Sequence, residues 1–197
     1  MRVRPMVAAV TVLLCSLAAG QTVSAPASAA AKDLNPLYAA WKGQENKSVT
    51  FTREETISGG APAAGGGPRA GSSTTVTYKL DKMAADKAVV KVTRPPLAAG
   101  GDAVEETLEI PATVPATDSA FPKPAGKEDL KIGGKTYACT RYTYSTKNKA
   151  EMGRDGQGLA GQVTAWVADG VPGGVVRKKI SLTIRVSYEI VETLTEK

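Results

Sequence analysis

The side chains of this sequence that could do chemistry are chiefly carboxylates and arginines, because the chain contains no histidine. Without an imidazole there is no Ser-His-Asp or Cys-His nucleophile pair and no zinc site that uses His. Three of them, Arg53, Glu55 and Glu106, have the same parity as apolar neighbours in predicted strands: they lie an even number of residues away and therefore on the same strand face. Two such carboxylates could hydrolyse a glycosidic bond, whereas a salt bridge or a rim position is the simpler interpretation. We predict that these three residues form a polar rim.

Two other motifs have a structural explanation that we prefer to a chemical one. Gly156–Gly161 matches GxGxxG, but a dinucleotide site needs this run between a strand and a helix. Here polar residues precede it and a strand-like segment follows it. Cys139 has Arg141 on the same predicted strand face, but the chain offers no His to act as its base. We therefore predict a flexible connection, a buried thiol, and no catalytic residue, cofactor or metal.

Residues 1–29 have the pattern of a secretory signal peptide. Two arginines precede an apolar stretch from Met6 to Ala19, and Ala27–Ala29 fits the A-x-A cleavage pattern. The stretch is shorter than the roughly 20 residues that cross a bilayer, and Leu14 before Cys15 argues against a lipid-modified cysteine. We predict a cleaved, exported product, periplasmic or extracellular, that does not span the membrane.

Residues 30–197 are predicted to form a single β domain with a flexible Gly/Pro-rich loop at 58–73. Loss of the two arginines of the signal lowers the net charge from +6 to +4. The remaining charges are scattered rather than gathered in a basic stripe, so we predict no nucleic-acid partner.

Alternation of apolar and polar residues predicts about seven strands. One short N-terminal helix is predicted over Leu34–Trp41, where Asn35 can cap and Pro36 suits the first position. We interpret Pro111–Asp129, which is rich in proline, as a surface connection. The expected fold is mainly β: a single, strongly curved antiparallel sheet, or half-barrel. Its predicted strands are Lys47–Ile57, Thr74–Leu80, Lys87–Thr93, Val104–Ile110, Lys135–Thr146, Gln162–Ala168 and Ile180–Ile190.

Two stretches carry a resemblance to known proteins. Gly133–Cys139 resembles a strand opening in uncharacterised exported bacterial proteins, and Trp166 followed by Val171–Arg177 looks like the strand–turn–strand of the same group. The wider order, from about Leu34 to Thr195, is similar to the periplasmic lipoprotein-carrier (Lol-type) half-barrel superfamily. That resemblance implies a curved sheet around an apolar concavity that binds acyl chains or similar ligands.

Three classes of function follow. The first is a non-enzymatic envelope protein that binds a hydrophobic or lipidic ligand on the concave sheet face. The second is an envelope structural or adaptor module that binds another protein or an acidic surface polymer, and the third is a carboxylate-based hydrolase. We favour the first, because a large exposed apolar patch usually marks a binding site. A turn at Val171–Gly174 should bring two strands together, and the predicted ligand-binding residues are Val163, Ala165, Val167, Ile184, Val186 and Tyr188.

Overall fold

The computed structural model describes residues 32–58, 73–96, 101–152, 160–183 and 187–195. Over these residues the chain is mainly β-structure, with two helices of four residues each. The helices are α1 (Pro36–Ala39) and α2 (Lys149–Met152). The strands are β1 (Lys32–Leu34), β2 (Ser48–Ser58), β3 (Ser73–Met83), β4 (Lys87–Arg94), β5 (Val104–Pro111), β6 (Thr113–Pro115), β7 (Lys123–Ile132), β8 (Lys135–Thr146), β9 (Gly161–Val167), β10 (Val175–Thr183) and β11 (Ser187–Leu194).

Nine of these strands form one antiparallel sheet, in the order β5-β4-β3-β2-β11-β10-β9-β8-β7. The sheet is not closed, since β5 and β7 are its two edges. The short strands β1 and β6 pair separately. The mainly β, antiparallel prediction is confirmed, while the number of strands exceeds the predicted seven and α2 is a second helix.

The sheet bends strongly around its inner face, the face that carries the main core. Tyr144 of β8 and Leu108 of β5 line the same cavity, although six strands lie between β8 and β5. In a flat sheet they would be roughly 34 Å apart, at about 4.8 Å per strand. The two halves of the sheet therefore face each other across its interior.

Helix α1 packs on the inner face through Leu37 and Tyr38, both buried. The side chain of Asn35 accepts a hydrogen bond from the backbone N–H of Leu37 at 3.0 Å, which satisfies one of the free donors at the helix start. Pro36 occupies the first turn, where its missing N–H costs nothing. The predicted cap is confirmed, and the helix is shorter than the segment predicted for it.

The predicted strand Ile180–Ile190 is wrong, because the chain reverses direction within it. Ile180 of β10 pairs with Ile190 of β11, and Thr183 pairs with Ser187. The sequence numbers of residues that pair across the two strands differ by an even number. The residues on one face of the sheet therefore have even numbers in both strands. The period of two therefore runs through the reversal without a break, and periodicity alone does not reveal it.

The prediction that Pro111–Asp129 is a surface connection is also wrong. This segment contains β6 and the first part of β7. Its prolines fall where a strand tolerates them: Pro111 and Pro115 end strands, and Pro124 lies at an irregularity of β7. Because β7 is an edge strand, a missing N–H there need not break the sheet.

Several predictions fall outside the described residues and stay predictions. They are the signal peptide at residues 1–29 and most of the loop at 58–73. Within the described ranges, no helix is long and apolar enough to cross a membrane.

Candidate functional site: cavities beside a buried charge cluster

Four charged side chains of the described residues are buried on the inner face of the sheet. Arg53 and Glu192 are each 1% exposed, Lys178 is 5% exposed and Glu151 is 6% exposed. A buried charge is costly unless an opposite charge and hydrogen bonds compensate it. We call these four residues the buried charge cluster. Its two positive and two negative charges balance one another.

The strand order places three members of the cluster in one row. Arg53 of β2 pairs with Glu192 of β11. On its other side, Glu192 pairs with Lys178 of β10. Directly opposed side chains on neighbouring antiparallel strands have Cβ atoms about 5 Å apart. The carboxylate of Glu192 is therefore held between two cations.

The Glu192 carboxylate has partners at both oxygens. Its Oε1 accepts a hydrogen bond from Arg53 Nη1 at 3.1 Å, and its Oε2 lies 2.9 Å from Lys178 Nζ. The Tyr78 hydroxyl lies 2.8 Å from Oε2 and accepts a hydrogen bond from Lys178 Nζ at 2.9 Å. Burial opposes the charge, but Lys178 and Arg53 together hold the pKa of Glu192 below its ordinary value.

The same contacts shift the pKa values of the partners. Burial alone would lower the pKa of Lys178, but Glu192, Tyr78 and Glu151 together outweigh it, so that this pKa lies above its ordinary value. Burial, and then the charge of Glu192, raises the pKa of the Tyr78 hydroxyl. Lys178 is therefore charged and Tyr78 neutral at neutral pH.

Helix α2 brings the fourth charge, Glu151, to the cluster. Arg53 holds the end of this helix, because Nη1 and Nη2 donate to the backbone carbonyls of Glu151 and Met152 at 3.2 Å and 3.1 Å. The Tyr144 hydroxyl donates to Glu151 Oε1 at 2.9 Å, and Lys178 Nζ lies 3.8 Å from the same atom. Burial, and then the charge of Glu151, raises the pKa of Tyr144 well above its ordinary value.

Two cavities lie on the inner face, beside this cluster. The central cavity has a volume of about 40 Å³, and the side cavity has a volume of about 140 Å³. Leu37, Leu108, Ile110, Tyr144 and Glu151 line both cavities, which are therefore neighbours. The central cavity is also lined by Trp41, Val49, Phe51, Tyr78, Pro172, Gly173, Val175, Lys178 and Glu192.

A third, more open cavity adjoins the central one and is called here the vestibule. Its volume is about 580 Å³, and it shares Val49 and Pro172 with the central cavity. The turn between β7 and β8, which contains Gly133 and Gly134, lines another side of it. The vestibule, the central cavity and the side cavity thus adjoin one another in this order, and the central cavity borders the buried charge cluster.

Trp41 closes the central cavity against the turn between β9 and β10. Gly173 in this turn has φ +71°, and a Cβ placed on it would lie 2.4 Å from the Trp41 ring. A side chain at this position would therefore be strained and would also displace the indole. Glycine is therefore required at position 173 for the close contact between this turn and Trp41, which follows α1.

The predicted polar-rim residues belong to two separate ion-pair groups. Arg53 Nε lies 2.7 Å from Glu55 Oε1, and the Glu55 side chain is 41% exposed. Glu106 of β5 pairs instead with Arg94 of β4, and Lys149 Nζ lies 3.8 Å from it. Arg53 is therefore at the centre of the buried charge cluster, Glu55 lies at its border, and Glu106 lies apart from it.

The four predicted ligand-binding residues that the structure describes lie on two strands that are not adjacent. Val163 and Ala165 of β9 are buried in the core, and Val167 and Tyr188 pack against it half-buried. Tyr188 belongs to β11, which β10 separates from β9. The two cavities on the inner face are lined by other residues. Ile184 and Val186 lie outside the described residues, and ligand binding by this set stays a prediction.

Lys178, Glu192 and Glu151 were missed by the sequence interpretation. Lys178 shares the parity of Val176 and Ile180, and Glu192 shares that of Ile190. The parity test that selected Arg53 and Glu55 would therefore have found both residues. Glu151 carries no such signal, because it lies in a helix of a single turn.

Cys139 is buried, as predicted, at 3% exposure. Its Sγ lies 3.4 Å from the carbonyl oxygen of Tyr137. Burial is the main cause that raises the pKa of the thiol, which disfavours the reactive thiolate. Among the described residues there is no group of three or more Cys, Asp or Glu side chains that could hold a metal ion.

Comparison with known proteins gives a structural match alone. No family model matches the chain, and no curated protein sequence matches it. Among solved structures, the chain is similar to the lipoprotein LppX of Mycobacterium tuberculosis, with a TM-score of 0.35 and 14% sequence identity. The match covers 81% of this chain and 91% of that one.

Proposed function

We propose that this protein is an exported, non-enzymatic protein of the cell envelope that binds a hydrophobic or lipidic ligand on the inner face of its curved sheet. The observation that carries the proposal is the pair of neighbouring cavities beside α1, lined mainly by apolar side chains. An apolar concavity with a few buried polar groups is the usual form of a small-molecule site. The proposed site lies beside Leu37, Leu108 and Ile110, which line both cavities.

The size of the cavities favours a slender ligand. An engineered apolar cavity of about 150 Å³ stays dry and binds benzene, and the side cavity is of similar volume, about 140 Å³. An alkyl chain fits such a space better than a wide ring system does. The vestibule can hold the rest of a longer molecule outside the core.

Export is supported by the signal-peptide pattern of residues 1–29. Production of the full chain in a bacterium that secretes it, followed by intact-mass measurement, tests this part. We expect a chain that begins after Ala29. A product that retains Met1, or one that carries a lipid on Cys15, would contradict it.

Ligand binding is tested with the neutral, rod-shaped fluorescent probe 1,6-diphenyl-1,3,5-hexatriene, whose cross-section is that of a single ring, and a pair of variants. Leu108→Trp fills the space between the two cavities, because Leu108 lines both. Thr107→Trp is the matched control, since Thr107 is exposed on the opposite face of the same strand. We expect the native protein and Thr107→Trp to bind the probe and Leu108→Trp to bind at least tenfold more weakly.

A second measurement covers the case in which Leu108→Trp is overpacked and unfolds. The chain has two tryptophans, and Trp41 lines the central cavity. In a Trp166→Phe variant, the emission of Trp41 should therefore change when the probe binds. A folded protein that leaves both the probe and Trp41 unaffected would overturn the binding proposal and favour the adaptor function.

A further inference from the structure

Glu151 occupies the point where the central and side cavities meet. It lines both cavities and is 6% exposed. Among the described residues, Tyr144 donates the hydrogen bond to its carboxylate, at 2.9 Å. Lys178 Nζ, at 3.8 Å, is beyond hydrogen-bond distance. A carboxylate has about four acceptor positions, so Glu151 can accept a further hydrogen bond from a molecule in the cavities.

Glu192 differs from Glu151 in this respect. Arg53, Lys178 and Tyr78 all lie within 3.1 Å of its oxygens. Three donors of the protein thus share its roughly four acceptor positions, whereas a single donor, Tyr144, bonds to Glu151 among the described residues. Of the two buried carboxylates, Glu151 therefore has the larger acceptor capacity left for a ligand.

We infer that the ligand is a neutral amphiphile, whose hydroxyl group donates a hydrogen bond to Glu151 while its alkyl chain occupies the apolar cavities. The inference rests on the proposed function and names the chemical class of its ligand. The walls that both cavities share include Leu37, Leu108 and Ile110, which suit an alkyl chain. The one acidic group among the shared lining residues suits a hydrogen-bond donor.

The charge balance of the cluster decides against a charged head group. Arg53 and Lys178 are already compensated by Glu192 and Glu151, so an added charge would be buried without a counter-ion. A carboxylate ligand would face Glu151 itself. An ammonium ligand would face Lys178, whose Nζ lies 3.8 Å from Glu151 Oε1. A hydroxyl supplies the donor without either conflict.

A series of probes with an eight-carbon chain tests the inference on the native protein. The probes are 1-octanol, octylamine, octanoate and 1-methoxyoctane, which lacks the hydroxyl donor, and binding is measured by calorimetry at pH 7. We expect 1-octanol to bind at least tenfold more tightly than each of the other three. A site that hydrogen-bonds a hydroxyl discriminates strongly against an analogue without one.

The variant Glu151→Gln should change this preference in a defined way. The substitution removes the negative charge that a carboxylate ligand would face, and it leaves Arg53 and Lys178 paired with Glu192 and with the partly exposed Glu55. Octanoate should therefore gain at least tenfold relative to 1-octanol. The matched control is Glu105→Gln, because Glu105 lies on the same strand as Leu108 and Ile110 but is exposed and lines none of the three cavities. This control should keep the native preference.

The outcomes separate the inference from the proposed function. Equal binding of all four probes, or a preference of the native protein for octanoate or octylamine, would overturn the hydroxyl inference and leave the hydrophobic site standing. Absence of binding by these probes and by 1,6-diphenyl-1,3,5-hexatriene would overturn both. If Glu151→Gln does not fold, as judged by circular dichroism, the preference of the native protein decides.

Discussion

Two regions of the same sheet face are buried to the same extent by opposite chemistry. In β4, the inward-facing residues Ala88, Val90 and Val92 are each 0% exposed. In the row across β2, β11 and β10, the inward-facing positions carry Arg53, Glu192 and Lys178, at most 5% exposed. The alternation along the strands is similar in both regions. The position of a residue in the alternation thus decides whether its side chain is buried. The free-energy cost of burial depends on the contacts that the side chain makes there.

The two regions should respond differently to substitution. Truncation of an apolar side chain loses transfer free energy and leaves a cavity, in proportion to the atoms removed. Removal of one member of a balanced charge group leaves the opposite charges buried without compensation. The region around Glu192 should therefore be the more sensitive to a single change.

The largest effect is expected for Glu192→Gln. This substitution keeps the shape of the side chain but leaves Arg53 and Lys178 with too little negative charge, and we expect a loss of about 4 kcal/mol in the free energy of unfolding. Urea denaturation measures the loss. The control is Glu189→Gln on the same strand, where the carboxylate is 45% exposed and pairs with Lys179. It should cost less than about 1 kcal/mol.

A double variant distinguishes lost charge balance from lost packing. Lys178→Met together with Glu192→Gln removes one charge of each sign. If balance is the cause, the double variant should unfold with a higher free energy than Glu192→Gln alone. A double variant that is less stable than either single variant would contradict this explanation.

A smaller effect is expected for Val90→Ala in the apolar region. Val90 is fully buried, and loss of its two methyl groups should cost about 2 kcal/mol. Val89→Ala, at a half-buried position on the opposite face of the same strand, should cost less. Urea denaturation at several pH values gives the free energy of unfolding of both variants. We expect it to depend on pH in the same way as that of the native protein. A pH-dependent difference for Val90→Ala would weaken the contrast between the two regions.

The smallest expected effect is the acid dependence that the charge cluster contributes. The pKa of Glu192 is lowered in the folded protein, so the unfolded chain binds this proton more readily than the folded one does. The contribution of Glu192 to stability is therefore complete above the ordinary glutamate pKa of about 4.3 and is lost as the pH falls towards the lower folded value. As the pH is lowered from 6 to 3, the free energy of unfolding should fall less steeply for the Lys178→Met/Glu192→Gln variant than for the native protein. Equal slopes would show that Glu192 does not carry this dependence.

The errors in the predicted fold have a common origin in the limits of periodicity. It identified the strands in which one face is buried, such as β3 and β4, because the apolar positions there repeat every two residues. It joined β10 to β11, because paired positions across their reversal keep the same parity. It omitted β7, since this edge strand is exposed over most of its length and has no apolar face to detect.

The sequence by itself determined that alternate residues of these strands share a face, that Asn35 and Pro36 begin a helix, and that chemistry based on histidine is excluded. The parity of Arg53 and Glu55 likewise placed them on the core side. Only the tertiary structure decided that Arg53, Glu192 and Lys178 form one row and that α2 adds Glu151 beside two cavities. The physical reason is that parity is a property of one strand, whereas a balanced charge cluster depends on which strands are neighbours and on how far the sheet bends. Pairs such as Arg53 and Glu192 are 3.1 Å apart in space but belong to opposite ends of the domain's sequence.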